Sequence, residues 1–401
     1  MTRHLVVVGA SLAGCRAAEI FRAEGFDGAV TVVGAEPHRP YDRPPLSKQF
    51  LTGAWGEDRI GLAAGASDLD VTWELGVPAS GLDVAGRTLA LADGRTLAWD
   101  GIVLACGARA RMLPGTQGLA GVHAVRTLDD ARAVRAALEA GPRRVVVVGA
   151  GFIGAEVAAS CRELDVPVTI VEPLEAPLAR VLGPVIGGVL AEVHAEHGVD
   201  VRLGVGATAI HGDGRVERVE LSDGEVLEAD LVVVGIGVIP DTDWLAGSGL
   251  ALDDGIVCDA TTLAAPGVVA AGDVARWPNA AFGGEVMRVE HWEHAIDMGG
   301  HAARRLLADL AGAPGEAYAP VPWFWSDQYD RKLNLCGRPR PDDDLAIVAG
   351  SLEERRFCAL FGREGRVTAA FAMNMPARVV RYRTAIADGL GWDDALAAAA
   401  G

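Results

Sequence analysis

Three glycines at the spacing G-x-G-x-x-G open the chemical reading of this chain, in Val145-Val-Val-Val-Gly149-Ala150-Gly151-Phe152-Ile153-Gly154. Gly149 allows a tight turn, and Gly151 lets backbone approach a pyrophosphate. Gly154 permits close helix–strand packing, with the helix N-terminus facing the anion. Glu172 follows 23 residues after Gly149, at the end of the next apolar run. A carboxylate there accepts from adenosine ribose hydroxyls and repels a 2′-phosphate, so the pattern favours NADH over NADPH. Arg180 is the counter-signal, since a cation nearby would tolerate that phosphate.

A second, looser copy starts the chain: Gly9-Ala10-Ser11-Leu12-Ala13-Gly14, with serine at the middle glycine position. Serine is small enough to keep the approach open, and its hydroxyl can donate to a phosphate. Far along the chain, the apolar run Val268–Ala271 ends in Gly272-Asp273, a carboxylate beside a backbone turn and suited to a sugar hydroxyl.

Other chemistries are disfavoured. The six cysteines (Cys15, Cys106, Cys161, Cys258, Cys336, Cys358) are scattered with no close pair. That spacing offers no zinc site, no chain-bound iron–sulfur cluster and no vicinal disulfide, so no metal is expected. The net charge of −18 argues against nucleic acid as a partner. Among 36 basic residues only Lys48 and Lys332 are lysines, which makes a lysine within a motif informative. No apolar run approaches the ~20 residues that span a bilayer. The chain reaches its first strand by Leu5, which leaves no room for a signal peptide and suggests a cytoplasmic protein.

The elements that position these residues follow an α/β pattern with parallel sheets. Each glycine motif follows a Val-rich strand and precedes an Ala-rich helix, expected over Cys15–Glu24 and Ala155–Leu164. A second strand then follows, at Ala29–Val33 and Pro167–Val171. The repeat implies two Rossmann-like dinucleotide-binding domains. A helix over Thr127–Ala140 stops at Gly141-Pro142. From Pro320 aromatics cluster, and the alternating runs Arg356–Phe361 and Val367–Met373 read as antiparallel strands before a last helix, Trp392–Ala400. The expected division is a discontinuous first domain at 1–112 and 243–320, a second at 113–242, and a small α+β C-terminal domain at 321–401.

Several strings go beyond glycine loops: Arg39-Pro-Tyr-Asp-Arg43-Pro44-Pro45-Leu46-Ser47-Lys48, Val125-Arg126-Thr127-Leu128-Asp129-Asp130-Ala131, Gly235-Ile-Gly237-Val-Ile-Pro240, Ala271-Gly-Asp273-Val-Ala and Pro322-Trp-Phe-Trp325-Ser326-Asp327-Gln328-Tyr329. With them the chain resembles, over its whole length, the FAD-dependent pyridine nucleotide–disulfide oxidoreductase superfamily. Within it the likeness is to the oxygenase- and cytochrome-P450-coupled NADH:ferredoxin reductases of the putidaredoxin reductase type. The resemblance implies FAD at Gly9, Ser11, Leu12, Ala13, Gly14, Arg43, Pro44, Lys48, Ala79, Arg126, Gly272, Asp273 and Trp292, with Trp325 beside the flavin ring. Relatives usually carry an acid directly after the glycine that ends the second strand. Ala35 stands there, so Glu36 is the expected substitute for the ribose contact. NADH is implied at Gly149, Gly151, Phe152, Ile153, Gly154, Glu172, Arg180 and Gly237. The resemblance also implies that Glu156 faces the nicotinamide and pairs with Lys48, and these two are the expected catalytic residues: a cation stabilises the charge that arrives with a hydride.

Related disulfide reductases, NADH oxidases and peroxidases carry redox cysteine after the first strand pair, but Tyr41–Leu51 has none. That leaves outer-sphere transfer to a protein-bound metal centre, and the resemblance implies that the acceptor is an acidic [2Fe–2S] ferredoxin that serves a P450 or a Rieske-type oxygenase. It would dock near Arg331, Lys332, Arg338 and Arg340, with Arg378, Arg381, Arg383, Arg304 and Arg305 as candidates to join them. The alternatives are a rubredoxin reductase and a redox-sensing interaction protein of the apoptosis-inducing-factor type. Monomer and dimer both stay open.

Overall fold

The computed structural model describes residues 3–62, 69–116 and 118–400. The chain divides into two compact units. One comprises Met1–Asp42, Gly61–Arg109 and Ile239–Pro322; the other comprises Arg43–Ile60, Ala110–Val238 and Trp323–Gly401. Among the described residues no helix is long and apolar enough to cross a membrane.

The first unit is built on a six-stranded sheet in the order Leu263–Ala265, Val268–Ala270, Gly101–Leu104, His4–Val8, Ala29–Gly34, Thr72–Leu75. All neighbours run parallel except the first pair. Its central strands are apolar runs rather than alternating ones because both faces are covered. The helices Leu12–Ala23 and Trp292–Leu310 pack closely through small residues: a Cβ on Gly299 would lie 2.4 Å from the Ala13 carbonyl oxygen.

The second unit holds a parallel sheet in the order Asp200–Leu203, Val168–Glu172, Val145–Val148, Leu231–Val234, Val122–His123. It also holds an antiparallel sheet in the order Trp323–Gln328, Arg331–Gly337, Arg366–Met373, Arg356–Arg363, Asp344–Ser351. Leu182, Ile186 and Leu190 of the helix Ala179–Glu196 share a core with Phe357 and Phe371 of that sheet.

Two helices start earlier than expected, at Leu12 and Phe152 rather than at Cys15 and Ala155. Gly14 and Gly154 weaken helix propensity, yet each lies in the first helical turn because only a bare Cα fits against the preceding strand. The helices Ala179–Glu196 and Pro376–Ala387 were not anticipated. The first is interrupted at Gly183, whose φ of 72° precedes Pro184.

Candidate functional site

The two glycine motifs have the same backbone. Gly9 and Gly149 take φ values of 117° and 100°, and each N–H donates to the carbonyl at the end of the neighbouring strand, Val33 and Val171, at 2.8 Å. A Cβ on Gly14 would lie 1.9 Å from the Gly9 carbonyl oxygen, and one on Gly154 would lie 2.1 Å from that of Gly149. Both third glycines are therefore required by packing.

Gly151 differs. It caps its helix in extended backbone, with φ of −71°, and the nearest atom to a Cβ there is 3.7 Å away. The fold leaves this position open, as a cradle for a pyrophosphate requires, so the motif fits a bound dinucleotide. Ile153 is 42% exposed, while the Phe152 ring packs on Phe324 with centroids 4.2 Å apart. Glu172 is buried, and its carboxylate accepts from the N–H of Ala150 at 2.8 Å and of Leu174 at 3.0 Å. The acid expected to meet ribose thus also ties down the glycine turn. Arg180 is exposed in the first turn of its helix, and Gly237, also exposed, accepts from the Arg111 N–H.

In the first unit, residues remote in sequence converge on the first motif. Gly272 adopts a φ of 73°, and a Cβ on it would lie 3.2 Å from that of Ala13. This places the Gly272–Asp273 turn against the start of the Leu12–Ala23 helix, an arrangement that fits the second expected dinucleotide, FAD. Ser11 is the N-cap of that helix. Glu36 accepts a hydrogen bond from the Tyr41 hydroxyl. Trp292 opens its helix and donates through Nε1 to Asp42 at 2.9 Å. Ala79 begins the strand Ala79–Asp83 and is half-buried.

In the second unit the expected ion pair is present. Lys48 Nζ lies 2.8 Å from Glu156 Oε2, with the carboxylate side chain only 3% exposed. Pro44 starts a short 3-10 helix, Pro44–Ser47, and Lys48 caps it. Arg43 donates to the Arg126 carbonyl at 2.5 Å. Glu156 has two further donors that the sequence did not indicate. The Ser47 hydroxyl donates to Oε2 at 2.5 Å and the Ser326 hydroxyl to Oε1 at 2.6 Å, and both serines are buried. Ser160 donates to the Ser47 carbonyl at 2.8 Å.

Period explains the meeting. Phe152, Glu156 and Ser160 recur every fourth residue on one helix face, while Phe324, Ser326 and Gln328 alternate along one strand face. Trp325, between them, is half-buried and projects to the other side. Helical spacing within Phe152–Ser160 was a readable signal. The pairing with a strand some 170 residues away was not.

All six cysteines are free. Burial pushes every thiol up to about 12, Cys106 and Cys161 included, so none is poised as a thiolate.

Of the expected docking cations, Lys332 is exposed, with Asp327 at 3.7 Å. Arg340 is exposed and Arg338 half-buried. Arg331 is mostly buried and pairs with Asp330 at 3.0 Å. Arg378 and Arg381 are exposed on the helix Pro376–Ala387, and Arg383 is half-buried there. Arg304 is exposed and pairs with Glu24 at 2.8 Å. Arg305 is not a surface cation: it is buried and donates to Thr261 Oγ1 at 2.8 Å, which removes it from the expected cluster.

Residues 3–299 match the family model described as pyridine nucleotide-disulphide oxidoreductase, and residues 323–400 match the one described as reductase C-terminal. Rhodocoxin reductase of Rhodococcus erythropolis is 38% identical over 93% of this chain and 86% of its own length. The ferredoxin–NAD(+) reductase component of the p-cumate 2,3-dioxygenase system of Pseudomonas putida is 40% identical over 83% of this chain and 81% of its own. Among solved structures, the covalent putidaredoxin reductase–putidaredoxin complex matches with a TM-score of 0.90. The identity there is 32%, covering 97% of this chain and 94% of that one.

Proposed function

Because the chain belongs to the pyridine nucleotide-disulphide oxidoreductase family, whose members of this type use FAD and NAD(H), we propose that it is an NADH-dependent reductase passing single electrons to a [2Fe–2S] ferredoxin. That ferredoxin in turn serves a cytochrome P450 or a Rieske-type oxygenase. The flavin, when bound, supplies the chemistry that takes electrons as a pair and releases them singly.

The chain's own residues do the rest. Gly9, Ser11, Leu12, Ala13, Gly14, Glu36, Gly272, Asp273 and Trp292 hold FAD in this reading, as do Arg43, Pro44, Arg126 and Trp325. Gly149, Gly151, Gly154 and Glu172 hold NADH. Glu156 pins the Lys48 ammonium with a carboxylate that is itself fixed by two hydroxyls. A positive charge locked before the reaction stabilises arriving negative charge without reorganisation.

What carries the choice of acceptor is the state of the sulfur. All six cysteines are free, none lies within Tyr41–Leu51, and burial raises each thiol, which argues against disulfide or thiol-peroxide chemistry and is consistent with a metal-centred carrier. An acidic carrier must find local positive charge on a chain of net charge −18. Lys332, Arg338, Arg340, Arg378 and Arg381 are the cations that meet this need. We place the protein in the cytoplasm on the same reading.

The test is anaerobic. NADH should bleach the yellow protein, and the bleached protein should reduce [2Fe–2S] ferredoxin faster than rubredoxin or quinone. Rubredoxin reduced faster would reassign the acceptor. Bleached protein that no carrier reoxidises, together with NADH-dependent dimerisation, would favour a redox sensor. Reversing charge at Lys332 and Arg338 should slow ferredoxin reduction at low ionic strength; no change would remove the docking assignment.

A further inference from the structure

Resting on the assignment of Lys48 and Glu156 to the nicotinamide side, we propose that a buried one-way hydrogen-bond chain, Tyr329–His194–Gln328–Ser326, orients Glu156. Ser326, Gln328 and His194 are then positioning residues for the ion pair.

The direction of the chain follows from its acceptor end. Ser326 has one hydroxyl proton and gives it to the Glu156 carboxylate at 2.6 Å. Its oxygen must then accept, and Gln328 Nε2 donates to it at 3.2 Å. This turns the Gln328 amide so that Oε1 is the free end, and Oε1 is buried with no partner among the described residues. His194 Nε2 is also buried without one. Each is what the other needs, an amide oxygen and a ring N–H. Burial holds His194 down to about 4, hence neutral near pH 7, and donation from the ring to the Gln328 side chain works against that shift. A neutral ring that donates through Nε2 must accept at Nδ1, where the Tyr329 hydroxyl lies 2.8 Å away. Every donor therefore points toward Glu156.

The three linking side chains are at most 1% exposed, so water does not compete for these bonds. A carboxylate served only by Ser47 and Lys48 could rotate about its last torsion. The Ser326 hydroxyl on the second oxygen removes that freedom, and the amide and imidazole behind it fix the hydroxyl's own direction.

Two measurements on the flavin-loaded protein decide the matter. Nitrogen-15 NMR of His194, assigned with His194→Gln, should show the Nε2–H tautomer; an Nδ1–H tautomer overturns the chain. In stopped flow, Ser326→Ala should lower the limiting rate of flavin bleaching by about ten-fold while changing NADH affinity less than about two-fold, with Ser326→Thr restoring the rate. Gln328→Leu, which has no donor for Ser326, should act like Ser326→Ala. An undiminished rate in Ser326→Ala, where Glu156→Gln is slow, overturns the positioning role. Undiminished rates in both Glu156→Gln and Lys48→Met overturn the assignment on which it rests.

Discussion

Gly151 and Gly154 sit three residues apart and are glycine for different physical reasons. At Gly154 a methyl group would strike the Gly149 carbonyl at 2.1 Å, so Gly154→Ala should destabilise the second unit by roughly 1–3 kcal/mol, read as a lower denaturant midpoint. At Gly151 the fold has room and an ordinary φ, so Gly151→Ala should leave stability unchanged or slightly raised. It should nevertheless weaken NADH binding by about ten-fold, because the methyl occupies space a pyrophosphate needs. Loss of stability without loss of binding would reverse this assignment. Glu172 was legible as an acid at the right distance. Its two backbone partners were not, because sequence spacing does not tell which amides face a side chain. Glu172→Gln removes the charge that opposes a 2′-phosphate while keeping the shape. It should shift the ratio of kcat/KM for NADH and NADPH toward NADPH by about ten-fold.

Elements with local signals could be read, and those that depend on distant partners could not. Thr127 and Asp130 form a reciprocal capping box, each side chain bonding the other's backbone N–H, and the helix Leu128–Glu139 begins there. Thr127→Ala should cost about 1 kcal/mol in equilibrium unfolding. The same change loosens the segment whose Arg126 carbonyl receives Arg43. By contrast, Ala179–Glu196 carries Gly183-Pro184 and a Gly187-Gly188 pair, strong breakers that mask a helix stabilised by its packing on the antiparallel sheet. Pro376–Ala387 spreads arginines around its length and shows little apolar stripe, so periodicity had little to register. The pairing of Lys48 with Glu156 is legible through resemblance, but its serine donors lie on elements whose meeting is purely tertiary.

Over the whole molecule, acid should act on both units. His194 in one is held down to about 4 and His294 in the other to about 3, each by burial, against an ordinary value of 6.5. A histidine depressed by folding takes up its proton more readily when unfolded. Stability should therefore be full above about pH 6.5 and fall as pH drops toward 4 and 3. Thermal unfolding across that range checks this, and a melting temperature flat from pH 7 to 4 would refute it. The parallel-sheet architecture was readable because runs such as Val145–Val148 are too uniformly apolar to have a wet face.

One strand, Trp323–Gln328, imposes a rule of parity on this protein's descendants. Odd positions look one way and even positions the other, so indole and hydroxyl cannot be moved independently by lengthening the segment. A single inserted residue would exchange their sides and bring an aromatic ring up to the carboxylate. Variation in this segment must proceed by substitution, or by insertions in pairs.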